Sequence, residues 1–224
     1  MRTKATVFCT LTALAALAVA APAAADVDPD RKLRVARTVY QELMATPDKA
    51  APRWMEEEAE CIAVIPNVIK GAFFWGGRRG KGVLSCRDGG GWSPPAFVKI
   101  TGGSFGLQIG GEAADLVLFF RDRRGVESLL TSQVVLGAEA GAAAGPLGRN
   151  ASAATDGLMR AKIFAYARAR GLFAGASIDG SRLAADQGLI RAHYGRRLFP
   201  EQILFEGEVG VQGPAAEGFL EVLP

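Results

Sequence analysis

The chain has 224 residues, with 26 Lys and Arg against 23 Asp and Glu, one His and three Cys, for a formal net charge of +3. That near-balance excludes a polycation that would hold nucleic acid through bulk electrostatics. One His and no C-x-x-C leave too few ligands for a zinc site, so no metal and no cofactor is expected.

In chain order, Arg2 and Lys4 come first, followed by the apolar run VFCTLTALAALAVAA and then Pro22 and Ala23-Ala24-Ala25. A positive start, an apolar run and small residues make a secretory signal peptide, with the cut expected after Ala25. The run is about 15 residues, against the roughly 20 that a spanning helix needs, and no later stretch is long and apolar enough. Cys9 lies inside the run rather than just after it, so a lipoprotein is not expected. The exported chain, periplasmic or secreted, then has 199 residues, and loss of Arg2 and Lys4 leaves 24 basic residues against 23 acidic ones. Residues 26–206 read as one domain and 207–224 as a C-terminal tail, rich in Gly, Ala and Glu and expected to be loose.

A helix follows the acidic start. Leu33, Ala36, Val39, Tyr40, Leu43 and Met44 recur at spacings of three and four, and Arg31, Lys32, Arg34 and Arg37 cluster at its beginning. Its apolar stripe has two uses open to it, docking on the domain core or lying on a membrane surface; docking is the commoner. Thr46-Pro47-Asp48 ends it. A second short helix is predicted over Trp54 to Glu60.

Strand-like runs come next: 61–66, 69–75, 82–87, 97–101, 104–109 and 116–120. Glycines punctuate them, as in tightly turned antiparallel hairpins, and Gly76 to Lys81 reads as a turn. Cys61 and Cys86 sit in two of these runs. An exported chain permits a disulfide between them, closing a loop of about 25 residues worth roughly 3 kcal/mol. Helical period returns from Gly125 to Leu136. A hairpin is predicted around Arg168 to Gly171, a helix over Ser181 to Tyr194, and one further turn over Glu201 to Phe205. Helices at both ends with strands between make an α+β fold, a mainly antiparallel glycine-rich sheet flanked by helices.

Gly102-Gly103-Ser104-Phe105-Gly106 fits the G-x-S-x-G of a serine hydrolase, and His193 is the one possible base. A nucleophile elbow needs a helix after the Ser, yet Phe105, Leu107 and Ile109 alternate with Gly106, Gln108 and Gly110, the period of a strand. Gly76 to Gly82 lacks the spacing of a phosphate loop, and no G-x-G-x-x-G precedes a helix. Glycines along a strand instead mark close approach by another surface, either another part of the chain, such as the Ala-rich 138–144 segment, or a ligand chain; the first is the commoner. Lys70, Phe73, Phe74, Trp75, Arg78, Arg79 and Lys81 set three aromatic rings beside four cations, a composition suited to a phospholipid interface. Phe73 serves the core equally well, and Arg149 is a further candidate.

The motifs Gly80-Lys81-Gly82-Val83-Leu84, Trp92-Ser93-Pro94-Pro95-Ala96-Phe97, Gln108-Ile109-Gly110, Asp115-Leu116-Val117, Gly145-Pro146-Leu147-Gly148-Arg149, Gly171-Leu172-Phe173-Ala174-Gly175 and Tyr194-Gly195 occur in this order. In them the chain resembles the SYLF-domain family over nearly all of residues 30–205. The resemblance implies a non-catalytic lipid-binding domain. Eukaryotic members bind phosphoinositides, and the yeast relatives also bind actin, a partner not expected of an exported bacterial protein. The expectation is an exported protein that binds anionic phospholipid through Lys70, Phe74, Trp75, Arg78, Arg79, Lys81 and Arg149. The alternatives are a small secreted esterase using Ser104 and His193, and a structural envelope protein that binds another protein.

Overall fold

The computed structural model describes residues 28–46, 51–72, 76–104, 112–131, 135–136, 142–145, 161–169, 172–176, 178 and 180–224. The expected signal peptide lies outside them.

Helix α1 (Pro29–Ala45) starts where its chemistry allows. The Asp28 carboxylate accepts the Arg31 N–H at 3.0 Å, and Pro29, with no N–H to satisfy, occupies the first turn. Leu33, Ala36, Val39, Tyr40 and Leu43 are all buried. The apolar stripe is therefore spent on the domain core and is not free to enter a membrane. Helix α2 (Arg53–Glu58) is short and buries Met55.

Ten strands form one sheet: β1 (Cys61–Ala72), β2 (Gly76–Asp88), β3 (Gly91–Trp92), β4 (Ala96–Ser104), β5 (Glu112–Phe120), β6 (Val135–Leu136), β7 (Ala142–Ala144), β8 (Ile163–Ala169), β9 (Leu172–Gly175) and β10 (Ser181–Ala185). Their order is β6-β10-β4-β2-β1-β5-β8-β7, with β3 added to β2 and β9 to β8. Among the described residues only β7 and β8 run parallel. Helices α3 (Arg123–Thr131), α4 (Gln187–Tyr194), α5 (Pro200–Leu204) and α6 (Gly213–Leu220) complete an α+β fold of the expected class. Cys61 and Cys86 are direct partners across β1 and β2 and are joined in the expected disulfide.

Four local expectations are overturned. Val135 and Leu136, expected at the end of a helix, form β6 against β10. Gly76 to Lys81 is not a turn but the first half of β2, paired on one side with β1 and on the other with β4. The glycines there have a packing reason. A Cβ on Gly82 would lie 2.1 Å from the Val64 carbonyl oxygen, and one on Gly80 would lie 2.8 Å from Val68 Cγ2, because β1 bulges over β2 between Val64 and Ile69. Ser181 to Ala185 is strand β10, not the start of a helix; pairing with β4 overrides the helical spacing of its apolar residues. Asp186 then caps α4, accepting the N–H groups of Gly188 and Leu189 at 3.1 Å. Finally, the tail is not loose. Helix α6 packs on α1, with Ala216 and Phe219 fully buried.

The Trp92-Ser93-Pro94-Pro95 motif is a structural corner. Buried Ser93 accepts the Cys86 N–H at 3.1 Å, and its carbonyl accepts the Ser85 hydroxyl at 2.7 Å. The Tyr194 hydroxyl donates to the Pro95 carbonyl at 2.9 Å. The Trp92 indole N–H donates to the Pro224 carbonyl at 2.7 Å, tying the chain end to the sheet.

Candidate functional site

Side chains alternate between faces along a strand, so the strand character of Gly76 to Lys81 divides the predicted cation cluster. Arg79 and Lys81 share one face with α1, where they line a cleft of about 410 Å³ together with Arg31, Lys32 and Val35 of the helix and Pro66, Asn67 and Ile69 of the bulge. Arg78 points the other way. It lines a small cavity with Val68, Ala114, Leu116, Ala167 and Ile178, and donates to the Ser181 hydroxyl at 2.9 Å.

The register extends the basic face across the sheet. Directly opposite residues of antiparallel strands project to the same side. One row therefore runs Ala113, Ile69, Arg79, Thr101, Arg182 across β5, β1, β2, β4 and β10, and a neighbouring row sets Lys81 opposite Lys99. Like charges directly opposite one another are unfavourable in an isolated sheet. Lys81 is relieved by an ion pair to Asp186 at 3.3 Å, whereas Lys99 is exposed. Ile69 stands among these cations with 55% of its surface exposed.

The bulge that shapes the cleft is pinned from below. Asn67 takes φ of 53°, and its N–H donates to Asp115 Oδ1 at 3.0 Å. Asp115 Oδ2 accepts Arg168 Nε at 2.9 Å, and Arg168 also pairs with Glu42 of α1. One carboxylate thus connects the bulge, strand β8 and the helix that carries Arg31 and Lys32.

Of the cations expected to act together, Arg79 and Lys81 meet on this face and Arg78 does not. Lys70 pairs with Arg78 along β1 and β2. Phe74, Trp75 and Arg149 lie outside the described residues, as does Phe73. Lys99 and Arg182 were not singled out in the sequence. A signal for Lys99 was present, since it is a lone cation in the apolar run FVKIT, a position that period two must turn to solvent.

The hydrolase pair is not assembled. Ser104 lies within β4, paired with Gly76. His193 lies in the last turn of α4 with its ring against Phe97, at a centroid distance of 5.3 Å. Phe97 and Ser104 sit near opposite ends of one strand, about 23 Å apart at the usual rise. The His193 ring also packs edge-on against Tyr194, and its Nε2 is buried with no hydrogen-bond partner among the described residues. Burial lowers the His193 pKa, and Asp30, 4.0 Å from Nδ1, opposes that shift.

The domain is thus a glycine-rich antiparallel sheet with helices at both ends, carrying a basic face beside its first helix. The chain belongs to the Ysc84/SYLF family: the family described as "Las17-binding protein actin regulator" matches residues 101–224. It is 35% identical over 182 residues to Protein YSC84 of Saccharomyces cerevisiae, covering 79% of this chain and 38% of that protein. It is 38% identical over 165 residues to an SH3 domain-containing protein of Schizosaccharomyces pombe, covering 71% and 38% respectively. With the human SH3 domain-containing YSC84-like protein 1 the identity is 35% over 161 residues, covering 71% and 47%. The chain thus spans about half or less of the length of these relatives. Among the described residues no helix is long and apolar enough to cross a membrane.

Proposed function

We propose that the protein is an exported, non-catalytic module that binds anionic phospholipid at a membrane surface through the face formed by α1, β1, β2, β4 and β10. The observation that carries this reading is the cross-strand placement of Arg79 and Lys99 beside a cleft rimmed by Arg31 and Lys32. Two strands and a helix terminus bring these cations to one side, where they meet lipid phosphates together. Each basic residue near an anionic bilayer contributes on the order of 1 kcal/mol. Exposed Ile69 supplies an apolar contact in their midst. Phe74 and Trp75 are proposed to add interfacial aromatic contacts from the segment joining β1 to β2, and Lys70 and Arg149 further charge.

Arg78 and Lys81 take different roles in this reading. Arg78 supports the opposite face through Ser181, and Lys81 fixes the start of α4 through Asp186. Actin-directed activity belongs to relatives by name and is not proposed for this chain. The separation of Ser104 from His193 argues against the esterase alternative.

Co-sedimentation of the purified protein with neutral and anionic vesicles across a salt series tests the proposal. Binding that requires anionic lipid and falls with salt supports it. Equal partition with neutral and anionic vesicles, or none with either, rejects it.

A further inference from the structure

A second surface differs from the basic face in both shape and charge. A groove of about 650 Å³ runs between α3, the end of β10 and α5, lined by Leu130, Ala185, Gln187, Phe199, Pro200 and Glu201, with Glu206 at its margin. Phe199 is 58% exposed, the largest exposure of any big apolar side chain among the described residues. Among those residues, neither Glu201 nor Glu206 has an ion-pair partner. Arg196 is taken by Glu208, and Arg197 lies over the Phe199 ring, 6.0 Å from its centroid. Gln187 uses its amide N–H on the Leu198 carbonyl, while its Oε1 is buried without a donor. The groove lining thus holds two carboxylates and no cation, with an exposed aromatic ring that has Arg197 beside it.

The basic face is its complement. Its cleft is lined by apolar Val35, Pro66 and Ile69 together with Arg31, Lys32, Arg79 and Lys81, and Asp28 is the one carboxylate in that lining. We propose that the Phe199 surface of one molecule docks into the basic cleft of a second copy of this chain. The ring meets Val35 and Ile69, and Glu201 and Glu206 meet the rim cations. A two-fold dimer through either surface would set like charge on like. Joining unlike surfaces is a head-to-tail contact, which leaves one surface free at each end and continues into a chain of molecules unless the rotation closes a ring. The contact does not depend on lipid binding, although it occupies the face proposed to meet lipid. Failure of vesicle binding would therefore leave this assembly standing, and failure of assembly would leave the lipid reading standing.

The test is sedimentation velocity over about a hundredfold range of concentration, at about 20 mM and about 0.5 M salt. At low salt the mean mass is expected to climb past that of a dimer, and at high salt to return to that of a monomer. A groove variant (Phe199→Ser, Glu201→Gln, Glu206→Gln) and a face variant (Arg31→Gln, Arg79→Gln) should each be monomeric alone. Mixed in equal amounts they should form a dimer and stop there, because one retains an intact face and the other an intact groove. Melting curves matching the parent establish that both variants are folded. A monomer under every condition, assembly unaffected by either variant, or a mixture that stays monomeric would overturn the proposal.

Discussion

Arg78 and Arg79 are adjacent in the chain and lie on opposite faces of one sheet. Arg78 donates to the Ser181 hydroxyl beside an apolar cavity, while Arg79 looks into the cleft beneath α1. A glycine-rich stretch that reads as a basic turn is in fact a central strand, and period two turns its two arginines to opposite faces.

Their substitutions should therefore separate. Replacing Arg79 and Lys99 by Gln should weaken binding to anionic vesicles by about 2 kcal/mol, roughly 30-fold, at low salt, with little change in melting temperature. Arg78→Ala should lower the melting temperature and leave vesicle affinity of the folded protein unchanged. Vesicle titration paired with thermal melting reads both. Equal loss of affinity in the two cases would refute the division of the faces.

The Cys61–Cys86 link closes a separation of 25 residues across the pair of strands at the centre of the sheet. Its removal in a Cys61→Ala, Cys86→Ala protein should cost about 3 kcal/mol, seen as a lower denaturant midpoint. A thiol assay on unreduced protein should find neither cysteine free.

His193 should make stability fall in mild acid. Its pKa in the folded state lies below the ordinary 6.5 because burial disfavours the imidazolium. The unfolded chain therefore binds more protons below about pH 7, so this contribution is whole above the unfolded value and declines as pH falls toward the folded one. His193→Phe, which keeps an aromatic ring beside Phe97, should flatten the slope of stability between about pH 7 and pH 5. An unchanged slope in urea melts would show that His193 does not govern that range.

Phe219 should behave as a core residue despite its place near the end of the chain. It is fully buried in α6, which packs on α1. Phe219→Ala should destabilise the whole domain by about 3–5 kcal/mol. A loss of less than 1 kcal/mol in chemical denaturation would mean that the tail is dispensable.

The sequence by itself determined the features that depend on local chemistry. The amphipathic stripe of α1 and its termination at Thr46, the strand runs of β1, β4 and β5, the hairpin of β8 and β9, the pairing of two cysteines and the α+β class all follow from periodicity, turn residues and composition. The ordered motifs also carried the family resemblance. Tertiary structure decided what lies between distant segments. It made Gly76 to Lys81 a strand, because two neighbouring strands supply hydrogen bonds that no local pattern reveals, and because the β1 bulge leaves no room for side chains at Gly80 and Gly82. It made Ser181 to Ala185 a strand against β4, and held the tail against a helix that lies almost the whole chain away. Lys99 and Arg79 became neighbours through register alone, and Ser104 and His193 were set near the two ends of β4. A basic face built by strand pairing is invisible to composition, since the interaction that creates it is the pairing itself.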